Sequence, residues 1–279
     1  LTCTGKSLGE NLDAWEKSER RIRFHQILIE QDNIDPKEII HSKEDATNKG
    51  MTSTLCFPIG NLAPDGSVIK STAIDSSVID KDGIYRMTGP ALVFTTERDA
   101  VRAVKGLGKK KIKPGDVIVL CGRGPMGAGM EEVAQVALAL KHLEWGKHVA
   151  LLTDARFSGV SSGACVGHIS PEALAGGPIG KIRDGDIIRI EIDRLNLRGR
   201  IDFIGKPQEK CNLENASQKL HEREANPEIA PDKRLPADTK LWAAMQNVSG
   251  GTWGGCVYDS EKIMNLLSKG QEAISKKKN

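Results

Sequence analysis

"LLTDARFSGVSSGACVGHISPEALAGGP", residues 151–178, starts as an apolar run and breaks at Thr153-Asp154 into a loop of small and hydroxyl-bearing residues. A strand followed at once by so many glycines and serines gives up packing area for close backbone approach. That trade is made where something other than protein must fit. Further along, His168 stands alone in an apolar segment that reads as another strand, where a satisfied core histidine is the expected role.

On either side of this stretch the chain has a uniform texture. Short apolar runs at 54–59, 67–70, 91–95, 116–121, 148–153, 186–192 and 200–204 are separated by Gly, Asp and Pro. The segments 61–66 and 183–185 carry turn chemistry. Two helices interrupt the runs. Thr96-Glu-Arg-Asp99 makes a capping-box-like start for one over 100–107. Met130, Val133, Val136, Ala137 and Leu140 line one face of another over 129–143. Strands this short and numerous predict a mainly β fold with flanking helices (β/β/α), a β-barrel or curled mixed sheet. Residues 1–50 are expected to hold one exposed helix and an interdomain linker, and 51–210 the barrel. Residues 211–279 would form a C-terminal extension packing on it, ending in a helix over 260–274.

Composition narrows the function classes. With 40 basic against 37 acidic residues, the net charge of +3 is too thinly spread to mark a nucleic-acid binder. The tract Lys276-Lys277-Lys278 reads as a solvated tail. No apolar run reaches the ~20 residues of a membrane helix, and the start carries no apolar signal core. Cysteines 3, 56, 121, 165, 211 and 256 are scattered without a Cys-x-x-Cys pair. They read as reduced thiols of a cytoplasmic protein rather than a disulfide or zinc framework. Without an initiator Met, the chain reads as part of something longer.

Gly122-Arg-Gly124-Pro-Met-Gly127 follows a strand and opens a helix, matching the dinucleotide-binding spacing. The acid that would hold a ribose, Asp154, lies 27 residues past Gly127, and a glycine-rich loop follows it where a crossover helix should be. A nucleotide-binding oxidoreductase is therefore the weaker reading. Glu131 and Glu132 are expected in the first turn of the helix, where its dipole stabilises a carboxylate. Either could also offer a hard oxygen ligand to a divalent ion. The next strand should bring Asp154, Arg156 and Ser158 to the same edge of the sheet.

The stretch "TDARFSGVSSGACVGHISPEALAGGPIGKIRDGD" resembles the signature of the dihydroxy-acid dehydratase and 6-phosphogluconate dehydratase family. "GPMGAGMEE", "GNLAPDGSVIK", "TGKSLGEN" and "TGPALVF" resemble further patterns of that family, in its order. "WEKSERRIRFHQILIE" and "LWAAMQNVSGGTWGGCVYD" are similar to its sugar-acid (xylonate-type) branch. The similarity covers nearly the whole chain but only the C-terminal portion of the family's polypeptide. It implies a swivelling-type β-barrel and dehydration of a 2,3-dihydroxy acid, here an aldonate such as xylonate, to a 2-keto acid. It also implies Mg²⁺ and an iron–sulfur cluster, with the cluster cysteines and remaining metal ligands in an N-terminal domain absent here. A homo-oligomer is implied for the full-length enzyme.

Carried over residue by residue, the motif serine is Ser158, the implied general base, and the Gly-Met-x-Glu acid is Glu132, the implied metal ligand. This glycine loop is one residue shorter than the family's, so Glu131 stays open as the ligand. Ser161 stands where dihydroxy-acid dehydratases usually carry Thr, while position 160, often a hydroxyl in sugar-acid enzymes, is Val. Ser161 and Arg156 are the implied substrate contacts, although Arg156 could equally pair with Asp154. Cys165 is expected to serve packing, and Trp253 could anchor a domain or line the site. A dihydroxy-acid dehydratase of branched-chain amino-acid synthesis is the alternative activity, and an interaction or assembly module the non-enzymatic one.

Overall fold

The computed structural model describes residues 2–51, 53–209, 211–254 and 257–278, so Cys256 lies outside the described residues. The chain divides into two compact units, 1–52 and 53–279.

The first unit holds helices α1 (Leu8–Glu16), α2 (Glu19–Glu30), α3 (Pro36–Ile39) and α4 (Lys43–Asn48), where the apolar stripe alone predicts one helix. The breaks are set by caps. Ser7 and Glu10 form a reciprocal capping box, Ser18 and Ser42 accept from the N3 amides of their helices, and Asp35 caps the turn that Pro36 opens. None of the described residues of this unit is buried.

The second unit contains β1 (Leu55–Cys56), β2 (Gly66–Lys70), β3 (Ile84–Phe94), α5 (Glu97–Val104), β4 (Val117–Leu120), α6 (Pro125–Ala128), α7 (Ala134–Lys141) and β5 (Ala150–Thr153). There follow β6 (Ala164–Ser170), β7 (Ile187–Asp193), β8 (Arg198–Gly205), α8 (Leu213–Glu222), α9 (Ala237–Val248) and α10 (Ser260–Lys278). Among the described residues the strands form one eight-stranded sheet, ordered β1-β2-β6-β5-β4-β3-β7-β8. The four strands from β3 to β6 run parallel to one another, and the outer pairings are antiparallel. The sheet is nearly closed into a barrel. Just past β1, the Ile59 amide donates to the Gly199 carbonyl at 3.1 Å, and the Ile201 amide donates back to the Ile59 carbonyl at 2.9 Å.

Strand composition follows from which faces are covered. Ile188, Ile190 and Ile192 of β7 alternate with less buried residues and point into the barrel. β4 reads Val-Ile-Val-Leu with every residue buried, because both its faces are covered. Val117 and Val119 fill the barrel interior, while Ile118 and Leu120 pack outside against α5 and α7 through Ala103, Val136 and Leu140.

The expected helix over 129–143 is divided. α6 ends at Gly129, which adopts φ +68° as a left-handed C-cap, and Met130 follows at φ +61°. Glu131 and Glu132 therefore lie in an extended link ahead of α7 and not in a helical first turn, which corrects the dipole reading. At its far end α10 runs beyond the predicted stop.

Candidate active site

The chain leaves the buried end of β5 at Thr153, and Asp154 anchors the loop beyond it. Its carboxylate is wholly inside the protein and accepts from the Gly122, Arg123 and Ala173 amides at 2.9, 2.9 and 3.0 Å. Burial pushes the carboxyl above its ordinary value, with the three amide donors opposing that shift. Asp154 thus pins the start of the glycine loop to the end of β5. Because its oxygens are satisfied by backbone, the pairing of Arg156 with Asp154 does not form, and the Arg156 side chain is exposed.

Two residues on, the backbone of the acid link joins that of the motif loop. The Val133 amide donates to the Arg156 carbonyl at 3.1 Å, and the Arg156 amide to the Glu131 carbonyl at 3.4 Å. This Glu132–Arg156 bridge brings the acid pair and the Arg-Phe-Ser turn to one edge of the sheet.

The two acids differ. The Arg123 guanidinium holds Glu131 at 2.6 Å through both Nε and Nη2, and Asp232 stands 3.8 Å from the same guanidinium. Glu132 is exposed and makes no hydrogen bond or ion pair among the described residues. Among the described residues no three His, Cys, Asp or Glu side chains gather as a metal site, so this chain offers an ion one free carboxylate and not a full set.

Ser158 sits in a tight turn. Its Oγ accepts from the Val160 amide at 3.3 Å, and its carbonyl accepts from the Ser161 amide at 3.1 Å. Lys70 of β2 crosses to the turn and donates to the Gly159 carbonyl at 2.7 Å. Ser158 and Ser161 line a cavity of about 430 Å³ together with Lys70, Phe157, Cys165 and His168. Ser161 is 8% exposed, and its Oγ is buried without a hydrogen-bond partner. Cys165 is buried, donates to the Ser162 carbonyl at 3.3 Å, and has its thiol pushed up to about 12 by burial.

His168 departs from the expected satisfied core residue. It is half-buried, lines the Ser158 cavity, and its ring makes no hydrogen bond among the described residues. Burial, then the nearby Arg156 guanidinium, hold its pKa below the ordinary imidazole value. Trp253 donates from Nε1 to the His168 carbonyl at 3.1 Å, packs edge-on against Phe57, and covers Gly66 so closely that a side chain there would press on the indole.

Sequence reasoning passed over Glu172. Its carboxylate accepts from the Met126 amide at 2.9 and 3.1 Å and fills the space a Cβ on Gly124 would need. Burial pushes it up to about 7, with the nearby Asp154 adding to the rise. The signal available was the Pro-Glu pair directly after a strand. This carboxylate occupies the donor end of the glycine loop, where a pyrophosphate would have to lie. The dinucleotide reading of the Gly-x-Gly-x-x-Gly spacing loses its site accordingly.

Among the described residues the other cysteines form no cluster site. Cys56 and Cys121 are buried, and burial raises both thiols, Cys56 to about 11. No helix among the described residues is long and apolar enough to cross a membrane.

Comparison with known proteins matches residues 38–252 to the family described as dihydroxy-acid/6-phosphogluconate dehydratase C-terminal. The chain is 53% identical over 274 residues to the D-xylonate dehydratase YagF of Escherichia coli (strain K12), which covers 98% of this chain and 41% of that protein. It is 54% identical over 265 residues to the D-xylonate dehydratase YjhG of the same organism, covering 94% and 40%. A dihydroxy-acid dehydratase of Agathobacter rectalis is 37% identical over 255 residues, covering 91% and 38%. The chain spans about two fifths of the length of these curated relatives.

Proposed function

Because the chain belongs to the dihydroxy-acid/6-phosphogluconate dehydratase family, we propose that it is the C-terminal domain of a hydro-lyase that converts an aldonate such as xylonate to its 2-keto-3-deoxy acid. The greater identity to D-xylonate dehydratases than to dihydroxy-acid dehydratases favours a sugar acid over a branched-chain precursor. The observation that carries the site assignment is the Glu132–Arg156 bridge, which sets a free carboxylate beside the turn bearing Ser158. An N-terminal domain of the same protein completes the site, and the full-length enzyme is a soluble, cytoplasmic homo-oligomer in this reading.

Mg²⁺ and an iron–sulfur cluster are part of the proposal for the full-length enzyme, but neither fits this chain alone. Among the described residues, one free carboxylate and scattered thiols do not make a ligand set. When bound, they would supply Lewis acidity at the substrate carboxylate and hydroxyls. The residues here do the rest. Ser158 takes the C2 proton as an alkoxide, a role that needs neighbouring cations, and Lys70 and Arg156 border its turn. Arg156 orients the substrate carboxylate. The unpartnered Ser161 Oγ offers a hydrogen bond to a substrate hydroxyl, which would relieve its unmet capacity.

Ser158→Ala in the full-length enzyme tests this. Turnover should fall by at least ~10²-fold with melting and substrate binding nearly unchanged, the lower end of what a positioned base contributes. Ser161→Ala is the comparison. Equal loss from both would mean that the loop matters only as a shape. Loss of stability at Ser158→Ala, with turnover per folded molecule kept, would reduce that serine to a loop cap.

A further inference from the structure

The feature that neither packing nor the proposed base explains is the backbone at His168. It lies within β6 at φ +53°, in the left-handed region that β-strand residues avoid. The register with β2 accounts for the position. Gly66 pairs with Ser170 and Val68 with Gly167, so Ser67 alone faces both His168 and Ile169. This is a β-bulge whose first residue is left-handed, a place ordinarily filled by glycine. The strain is held from both sides. The His168 amide donates to the Ala155 carbonyl at 2.7 Å, and the His168 carbonyl accepts from the Trp253 indole at 3.1 Å. Strained, over-determined positions of this kind concentrate where a side chain must be aimed. Here the bulge falls at His168, which lines the same cavity as Ser158.

We propose that His168 is a proton-relay residue acting through Ser158, positioned by the bulge to receive the Ser158 hydroxyl proton and return it to the departing hydroxyl group. The proposal rests on the reading of Ser158 as base. The Ser158 O–H bond breaks first and an N–H bond forms on the neutral imidazole, leaving the Ser158 alkoxide, whose Oγ then takes the C2 proton of the substrate. The C2–H electron pair becomes the C2=C3 bond, and the C3–O bond breaks with its electrons on oxygen. The imidazolium then protonates that oxygen, releasing water and restoring both side chains, and the enol tautomerises to the keto acid. No oxidant or reductant enters.

The surroundings suit the task. The titratable groups sharing the cavity are Lys70 from β2 and Cys165 from β6, and Arg156 approaches from the β5–β6 loop. The lining residues include no carboxylate, so nothing there holds the resting imidazole charged. Burial, and then the Arg156 guanidinium, favour the neutral, proton-accepting form.

The experiment uses His168→Asn and His168→Gly in the full-length enzyme, because both residues accept a left-handed backbone. Melting temperature should be unchanged or raised in both. Turnover on an aldonate should fall at least ~10²-fold, with KM little altered and exchange of the substrate C2 proton falling in parallel. The native kcat profile should lose activity as pH drops through the depressed imidazole pKa, and the residual activity of His168→Asn should lack that limb. Adding either substitution to Ser158→Ala should cost no further activity, since the two groups act as one unit. Turnover of His168→Asn within twofold of native, with the acid limb retained, overturns the relay. If Ser158→Ala is dead while His168→Asn is active, the relay alone fails. If Ser158→Ala remains active, the base assignment itself fails.

Discussion

Replacing Asp154 should uncouple the glycine loop from β5, and the size of the effect can be worked from its contacts. One carboxylate oxygen accepts from Gly122 and Ala173, the other from Arg123, all at 2.9–3.0 Å and away from solvent. Asp154→Ala leaves three buried N–H groups without partners, at roughly 1–3 kcal/mol each. The buried charge is removed at the same time, which offsets part of the loss because burial already disfavours the anion. A net destabilisation of about 3–6 kcal/mol is expected, a large share of the ~5–15 kcal/mol typical of a folded protein. Asp154→Asn keeps the oxygen that serves Gly122 and Ala173 but turns an amide N–H toward the Arg123 amide. It should lose about 1–3 kcal/mol. Denaturant titration of the full-length protein reads both as shifts in midpoint at constant slope, and hydrogen exchange should show deprotection at residues 122, 123 and 173. A loss below ~1 kcal/mol in Asp154→Ala, with those amides still protected, would refute the clamp.

Glu172, pushed up to about 7, binds its proton more tightly in the folded state than in the unfolded one. Its contribution to stability is fully present below the usual carboxylate range near 4.5 and is lost as pH rises through 7, by up to about 3 kcal/mol. Glu172→Gln should flatten that decline in melting temperature; identical slopes in the two proteins would remove the assignment. Glu132→Gln should raise the Mg²⁺ concentration for half-activation of the full-length enzyme at least ~10-fold, since it removes a charged oxygen ligand. Glu131→Gln should instead lose stability by about 1–2 kcal/mol by breaking the Arg123 pair, with Mg²⁺ dependence near native; the reverse pattern, read by metal titration and denaturation together, would exchange the two roles.

Which elements exist is set by local signals. The two-residue alternation of Ile188, Ile190 and Ile192 marks a strand with one buried face, and the unbroken Val117–Leu120 run marks one covered on both. The caps Ser7, Ser18, Asp35 and Ser42 are equally local, and weighing them above the apolar stripe would have divided the N-terminal helix correctly. The motif serine, the acid pair and the small-residue loop are also legible along the chain, because each is a run of neighbours.

What those residues do to one another was decided in three dimensions. Glu131 and Glu132 are adjacent and chemically identical, yet Arg123 folds back across the loop, with Asp232 from a distant segment beside it, and engages only one of them. His168 reads as a strand residue because its neighbours are apolar; its left-handed bulge exists only through the pairing register with Ser67 on β2. Asp154 suits a ribose or an arginine in sequence, but three amides drawn from two separate loops claim it. Periodicity and capping depend on residues within a turn or two, so the sequence carries them. Ion-pair choice, bulge position and burial of a carboxylate depend on which remote backbone groups arrive at the same place, and only packing of the closed sheet determines that.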